Sequence, residues 1–129
     1  MPPPIVIDTN AFRDRDFRYW LLTYRGEKIL PMVAFVEFAF FLQSRGKTYE
    51  QVMGLVGRFR VQIQPFSQVH AKRAIETSIK VGDFSKNWRD HMIAGHAHTA
   101  PMILVTYNVD DFAFLGHRVT TPQQAMKEL

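Results

Sequence analysis

The amino-acid sequence predicts an α/β protein built on a parallel sheet, and two observations carry that expectation. Short apolar runs rich in β-branched residues recur along the chain, and segments with helical spacing separate them. Parallel strands need crossover connections, so this alternation implies a central sheet of four to five parallel strands with helices on both faces.

The elements follow in order. Ile5-Val6-Ile7 reads as a buried strand, ended by Asp8-Thr9-Asn10. Residues 17–25 are expected to be helical and residues 27–31 to form a second strand. From 32 to 45 apolar residues occupy nearly all faces, which predicts a buried helix stopped by Gly46. Thr48 caps a helix over 49–58. Val61-Gln62-Ile63-Gln64-Pro65 alternates with period two, as a strand does. Ser67 caps a helix in which Val69, Ala71, Ala74, Ile75 and Ile79 have helical spacing, and 82–87 reads as a loop. Residues 88–98 predict a helix with Met92, Ile93 and Ala97 on one face, and the small residues at 94, 95 and 97 let it approach the sheet closely. Met102-Ile103-Leu104-Val105 is the clearest strand, His117-Arg118-Val119 an edge strand, and Thr121 with Pro122 starts a last helix. Pro2-Pro3-Pro4 is expected to order nothing. The whole chain, 1–129, reads as a single domain.

Composition narrows the function classes. The chain has no cysteine, which removes disulfides, thiolate zinc sites and a cysteine nucleophile together and fits a reducing cytoplasm. The start lacks the basic region of a secretory signal, and no run of apolar residues is long enough to span a membrane. Eleven Phe predict an aromatic-rich core. The net charge of +4, in a chain that also carries acids in apolar settings, suits a polyanionic substrate reached through a metal.

Those acids are the informative residues. Asp8 follows a buried strand directly, at the edge where open α/β sheets bind ligands, or else it caps the next helix. Glu37 lies among Val33-Ala34-Phe35-Val36 and Phe38-Ala39-Phe40-Phe41, so it needs a metal, a hydrogen-bond network or an arginine partner. Asp90 begins an amphipathic helix, where the helix dipole alone would favour it. Asp110 and Asp111 follow the strand at 102–105, in what would otherwise be an acid-rich turn. Acids gathered at one sheet edge repel, and Mg²⁺ or Mn²⁺ with oxygen ligands removes that repulsion. A bound metal of this kind supplies a water nucleophile and stabilises a leaving oxygen.

Four segments together resemble the PIN-domain family, specifically the VapC-like toxins of bacterial and archaeal toxin–antitoxin pairs. They are Ile5-Val6-Ile7-Asp8-Thr9-Asn10; Glu37 in the helix after the second strand; Arg89-Asp90-His91-Met92-Ile93-Ala94-Gly95-His96-Ala97; and Leu104-Val105-Thr106-Tyr107-Asn108-Val109-Asp110-Asp111-Phe112, which fits a Thr-x-Asn-x-x-Asp-Phe signature. The resemblance covers almost the whole chain. It implies a PIN-like three-layer α/β/α fold and an Mg²⁺- or Mn²⁺-dependent endoribonuclease. It makes Asp8, Glu37 and Asp90 metal-site acids, with Asp111 in the fourth position; many relatives carry an acid where Asn108 stands. Asp110 is expected to face outward. Thr9, Asn10 and Thr106 would hydrogen-bond the acids, and Asn108 would offer a neutral oxygen or orient a water. The resemblance also implies a homodimer and a small antitoxin protein. Such a protein would inhibit most simply through an arginine laid across the carboxylates, since the field that attracts Mg²⁺ attracts a guanidinium equally.

Other readings fit less well. His91, His96 and His98 lack zinc-site spacing and are expected to be solvated or dimer-facing. Asn10 stands where a haloacid-type phosphatase needs a second Asp. No Gly-rich phosphate loop and no nucleophile elbow occur. Arg13, Arg15, Arg18 and Arg25 either contact RNA phosphates or line an ordinary solvated helix, and Lys72, Arg73 and Lys80 read the same way. Phe12, Phe17, Tyr19, Trp20 and Tyr24 crowd one region and are expected to supply the dimer or antitoxin surface. A PIN module that binds RNA or protein without cutting, or one that serves general RNA processing, remains the alternative.

Overall fold

The computed structural model describes residues 2–129. Five parallel strands form one sheet in the order β3-β2-β1-β4-β5, flanked by helices. The strands are β1 (Ile5–Ile7), β2 (Lys28–Pro31), β3 (Gln62–Gln64), β4 (Ile103–Val105) and β5 (Val119–Thr120). Strand β1 is central because all three of its residues are apolar and fully buried, which suits only a strand covered on both faces. It pairs with β2 on one side and β4 on the other, so the direction of winding reverses beside it. The carboxyl end of β1 therefore opens on the crevice where such sheets place ligands.

The connecting helices are α1 (Thr9–Phe12), α2 (Arg15–Leu21), α3 (Met32–Gln43), α4 (Tyr49–Arg58), α5 (Gln68–Val81), α6 (Phe84–Gly95) and α7 (Pro122–Glu128), with a 3₁₀ segment over Val109–Arg118. The core is aromatic: Phe12, Phe17, Phe38, Phe59 and Phe112 are all fully buried. Thr48 caps α4 with a reciprocal pair of bonds to Gln51, as its sequence suggests.

Several boundaries differ from the sequence reading. Helix α2 starts at Arg15 because the Asp14 carboxylate accepts the Phe17 N–H. It stops at Leu21, whose carbonyl takes the Lys28 ammonium at 2.8 Å. The loop expected over 82–87 shrinks to Gly82 and Asp83. Gly82 adopts φ 79°, which ends α5 abruptly, and α6 begins at once, with a kink at Asn87 before it continues. Helix α3 is not buried all round: Val36, Glu37 and Phe40 face solvent. On α5 the inward residues are His70, Ala74 and Ser78, while Val69, Ile75 and Ile79 are exposed. The reason lies in α6. Gly95 packs against the backbone of His70 on α5, so these two helices approach each other through small and polar side chains. The proline run is anchored after all: the Pro3 carbonyl accepts the Tyr24 hydroxyl, and the Pro4 carbonyl accepts Ile103 N–H at 3.1 Å.

Among the described residues, no helix is long and apolar enough to cross a membrane.

Candidate active site

Asp8 is fully buried at the end of β1. Its Oδ1 accepts the Thr9 N–H at 2.7 Å, and its Oδ2 accepts the Thr106 hydroxyl at 2.9 Å. The capping role considered for Asp8 is thus realised, and the same carboxylate stays at the carboxyl end of the central strand. Thr106 lies immediately after β4, the strand beside β1, so parallel pairing of the two strands brings its hydroxyl to Asp8.

Glu37 projects from α3 towards the same point. Its Oε1 accepts the Thr9 hydroxyl at 2.6 Å. Its side chain is 42% exposed, so the apolar sequence around it does not bury it. The helix presents Glu37 on its open side, while Ala34, Phe35, Phe38 and Ala39 face the core.

Asp90, on α6, is the third acid. What joins the three is Arg89, to which the sequence reading assigned no role. Its guanidinium donates to Asp8 Oδ1 at 2.7 Å, to Glu37 Oε1 at 2.5 Å and to Asp90 Oδ1 at 3.0 Å. Its Nε adds contacts to both Glu37 oxygens at 3.1 Å. The arginine partner weighed for Glu37 therefore exists, and it also holds two further acids. Its sequence signal is its place beside Asp90 at the start of the segment 89–97.

The electrostatics follow from this geometry. Burial pushes the Glu37 carboxyl up, but hydrogen bonds from Arg89 and Thr9 outweigh it, and the group titrates below its usual range. Burial dominates at Asp90, with repulsion from Asp111 and Asp8 adding to it. Asp90 titrates above its usual range despite Arg89. Burial also works against the Arg89 charge, but Glu37 and Asp8 overcome it and raise its pKa.

The remaining candidates sit in the loop after β4. Asp111 is exposed and makes no hydrogen bond to the three acids, though its charge reaches Asp90. Asp110 is also exposed. Asn108 engages through its backbone, whose N–H donates to the Thr106 hydroxyl at 3.1 Å. Asn10 does not bond an acid; its side-chain oxygen accepts the Tyr107 N–H at 3.1 Å and so holds the loop against α1. A cleft of about 400 Å³ lined by Asn10, Arg13, Asp14, Phe41 and Tyr107 opens beside this loop. Arg13 stacks on the Phe41 ring there. Arg18 is half-buried, and its Nη1 donates to the Phe12 carbonyl at 2.6 Å. Arg73 similarly bonds the His98 carbonyl at 2.9 Å.

Of the three histidines expected to be solvated or dimer-facing, His91 and His96 are not solvated, and His98 is half-buried. His91 is fully buried, with Nε2 2.6 Å from Asp83 Oδ1 and Nδ1 3.1 Å from Thr77 Oγ1. His96 is fully buried too, paired with Gln64 Oε1 at 2.7 Å and stacked on His70. Of the aromatics near the N-terminus, Phe12, Phe17 and Tyr24 fill the protein's own core, Trp20 is half-buried and Tyr19 is exposed.

The donor chemistry suits a hard divalent cation, because the converging groups are carboxylate oxygens. Their spacing is set by a guanidinium: among the described residues, no three acidic or histidine side chains stand close enough together to hold one ion.

A parallel five-stranded sheet with carboxylates at its switch point defines a class of α/β proteins with an acidic crevice. Within that class the PIN domain family model matches residues 5–116, and this chain belongs to that family. Its fold is similar to a chain of the DNA-bound VapBC from Salmonella typhimurium, with a TM-score of 0.71 and 17% identity over 94% of this chain and 99% of that one. It is also similar to a chain of a toxin–antitoxin complex from Klebsiella pneumoniae, with a TM-score of 0.70 and 21% identity over 92% and 97% of the two chains. No curated protein matches this sequence.

Proposed function

We propose that this protein is an Mg²⁺- or Mn²⁺-dependent endoribonuclease, acting as the toxin of a toxin–antitoxin pair. The observation that carries the reading is the convergence of Asp8, Glu37 and Asp90 on one guanidinium, that of Arg89, at the carboxyl end of the central strand. Asp8, Glu37 and Asp90 would hold the metal, with Asp111 approaching from the loop after β4. A bound metal would supply an activated water and offset charge on the leaving oxygen. Thr9 and Thr106 fix the carboxylates of Glu37 and Asp8, so these ligands are oriented before substrate arrives. Arg13, on the wall of the adjoining cleft, would meet a backbone phosphate of RNA.

Both structural neighbours come from complexes described as VapBC or toxin–antitoxin, which supports an antitoxin partner for this chain. A second copy is the other partner. Val36 and Phe40 on α3, Ile75 and Ile79 on α5, and Phe84 and Trp88 on α6 are large apolar residues left exposed, and with Tyr19 they are the candidate dimer surface. The absence of cysteine suits a cytoplasmic setting.

One observation favours the non-catalytic alternative: Arg89 already pairs with all three acids, as a structural ion cluster would. Cleavage assays separate the two. Cleavage of RNA should require Mg²⁺ or Mn²⁺, stop with EDTA and be lost in Asp8→Asn. Metal-independent cleavage, or full activity in Asp8→Asn, rejects the metal-site assignment.

A further inference from the structure

We infer that Arg89 is a tethered counter-ion that competes with the divalent cation for Asp8, Glu37 and Asp90, so that the site loads only when this side chain swings out. The inference rests on the metal-site reading above and gives a role to a residue that the resemblance includes in the segment 89–97 without assigning it one.

Three facts support it. The first is occupancy. Asp8 Oδ1, Glu37 Oε1 and Asp90 Oδ1 all accept from N–H groups of one guanidinium, so an ion shared by these three acids would have to take carboxylate oxygens that Arg89 now occupies. The planar fork of arginine spreads its partners, which explains why the acids converge without forming a ready-made ion cage. Arg89 and a shared ion therefore exclude each other.

The second is charge. Three carboxylates against one guanidinium leave two negative charges uncompensated, whereas a divalent ion leaves one. Arg89 holds the acids together but under-neutralises them, so it can be displaced. The third is an exit. The Arg89 side chain is 26% exposed and Glu37 beside it is 42% exposed, while Asp8 at the far end is fully buried. Rotation of the side chain towards the Glu37 side takes it to solvent.

Competition of this kind lowers apparent metal affinity by the fraction of molecules whose carboxylates are free. If Arg89 is out in about one molecule in ten or fewer, removing it strengthens metal binding roughly tenfold or more.

The test is calorimetric titration of Mn²⁺ into the full chain and its Arg89→Gln and Arg89→Lys variants, with thermal melts of each in metal-free and Mn²⁺-containing buffer. Arg89→Gln is expected to melt lower without metal, because its carboxylates then lack a counter-ion. It should bind Mn²⁺ about tenfold more tightly or better and gain more from it on melting. Arg89→Lys should fall between, since an ammonium cannot bridge three carboxylates in one plane; it also supplies the comparison if Arg89→Gln fails to fold. Equal or weaker Mn²⁺ binding in the variants overturns the inference and leaves the metal site standing. Absence of Mn²⁺ binding in all three proteins overturns both. Adding Asp8→Asn to the Arg89→Gln chain should abolish the tight binding, and retention of it would place the ion elsewhere and reject the competition.

Discussion

Thr106 donates its hydroxyl to Asp8 Oδ2 at 2.9 Å, although 98 positions separate the two in sequence. The bond joins the ends of two adjacent parallel strands and fixes the plane of a fully buried carboxylate. It also leaves the Thr106 oxygen free to accept the Asn108 N–H, which anchors the loop after β4.

Thr106→Val keeps the shape and removes both bonds. A buried carboxylate oxygen and a backbone N–H lose their partners, so the change should cost about 1–3 kcal/mol. Urea titration of the two proteins checks this. A variant as stable as the parent would mean that water replaces the hydroxyl at no cost.

Glu37→Gln tests the same cluster from its open side. Glu37 titrates below its usual range, so its ion pair stabilises the fold above the ordinary Glu pKa and loses that contribution as pH falls through the lowered one. Because the side chain is 42% exposed, solvent screens the pair, and the cost at neutral pH should be about 1 kcal/mol or less. That is smaller than the roughly 3–5 kcal/mol expected of a fully buried pair. The variant should also lose the thermal stabilisation that Mn²⁺ gives the parent. Melts at neutral pH and near pH 3, with and without Mn²⁺, read both effects.

His96 supplies an acid-sensitive element away from the carboxylates. Burial, with His70 and His98 nearby, lowers its pKa from 6.5 to about 3. The unfolded chain takes up a proton below pH 6.5 while the folded chain does not, so stability falls as pH drops through that window. The loss between pH 6.5 and about 4 should be roughly 2–3 kcal/mol. His96→Gln should flatten that limb of the stability–pH curve. An unchanged slope would show that His96 does not carry it.

Gly95→Ala tests how closely α5 and α6 approach. An added Cβ would meet the His70 carbonyl oxygen at 2.5 Å, and the obstacle is backbone rather than a movable side-chain tip. The two helices must separate, at a cost of about 1–3 kcal/mol, by analogy with overpacked cores. Thermal unfolding measures it. A neutral effect would mean that the α5–α6 contact tolerates slack.

Local pattern was enough to locate most of the fold and several residues of the candidate site. Period-two and β-branched runs marked β1, β3 and β4 within a few residues, because strand burial writes itself into consecutive side chains; β2 and β5 were placed as short segments between helical ones. Thr48 and Pro122 marked helix starts because capping is local chemistry. Asp8 and Glu37 stood out because acids beside apolar runs need a reason. Three other features were decided by tertiary structure alone. The strand order β3-β2-β1-β4-β5 depends on which crossover packs where, and no single segment encodes it. The inward face of α5 is set by Gly95 on another helix, so apolar spacing pointed to Ile75 and Ile79, which are exposed. Arg89 is one charged residue among many along the chain. Its guanidinium becomes the counter-ion of Asp8, Glu37 and Asp90 only because β1, α3 and α6 bring acids from three distant segments within hydrogen-bond reach of it, and hydrogen bonds form in space, not along the chain.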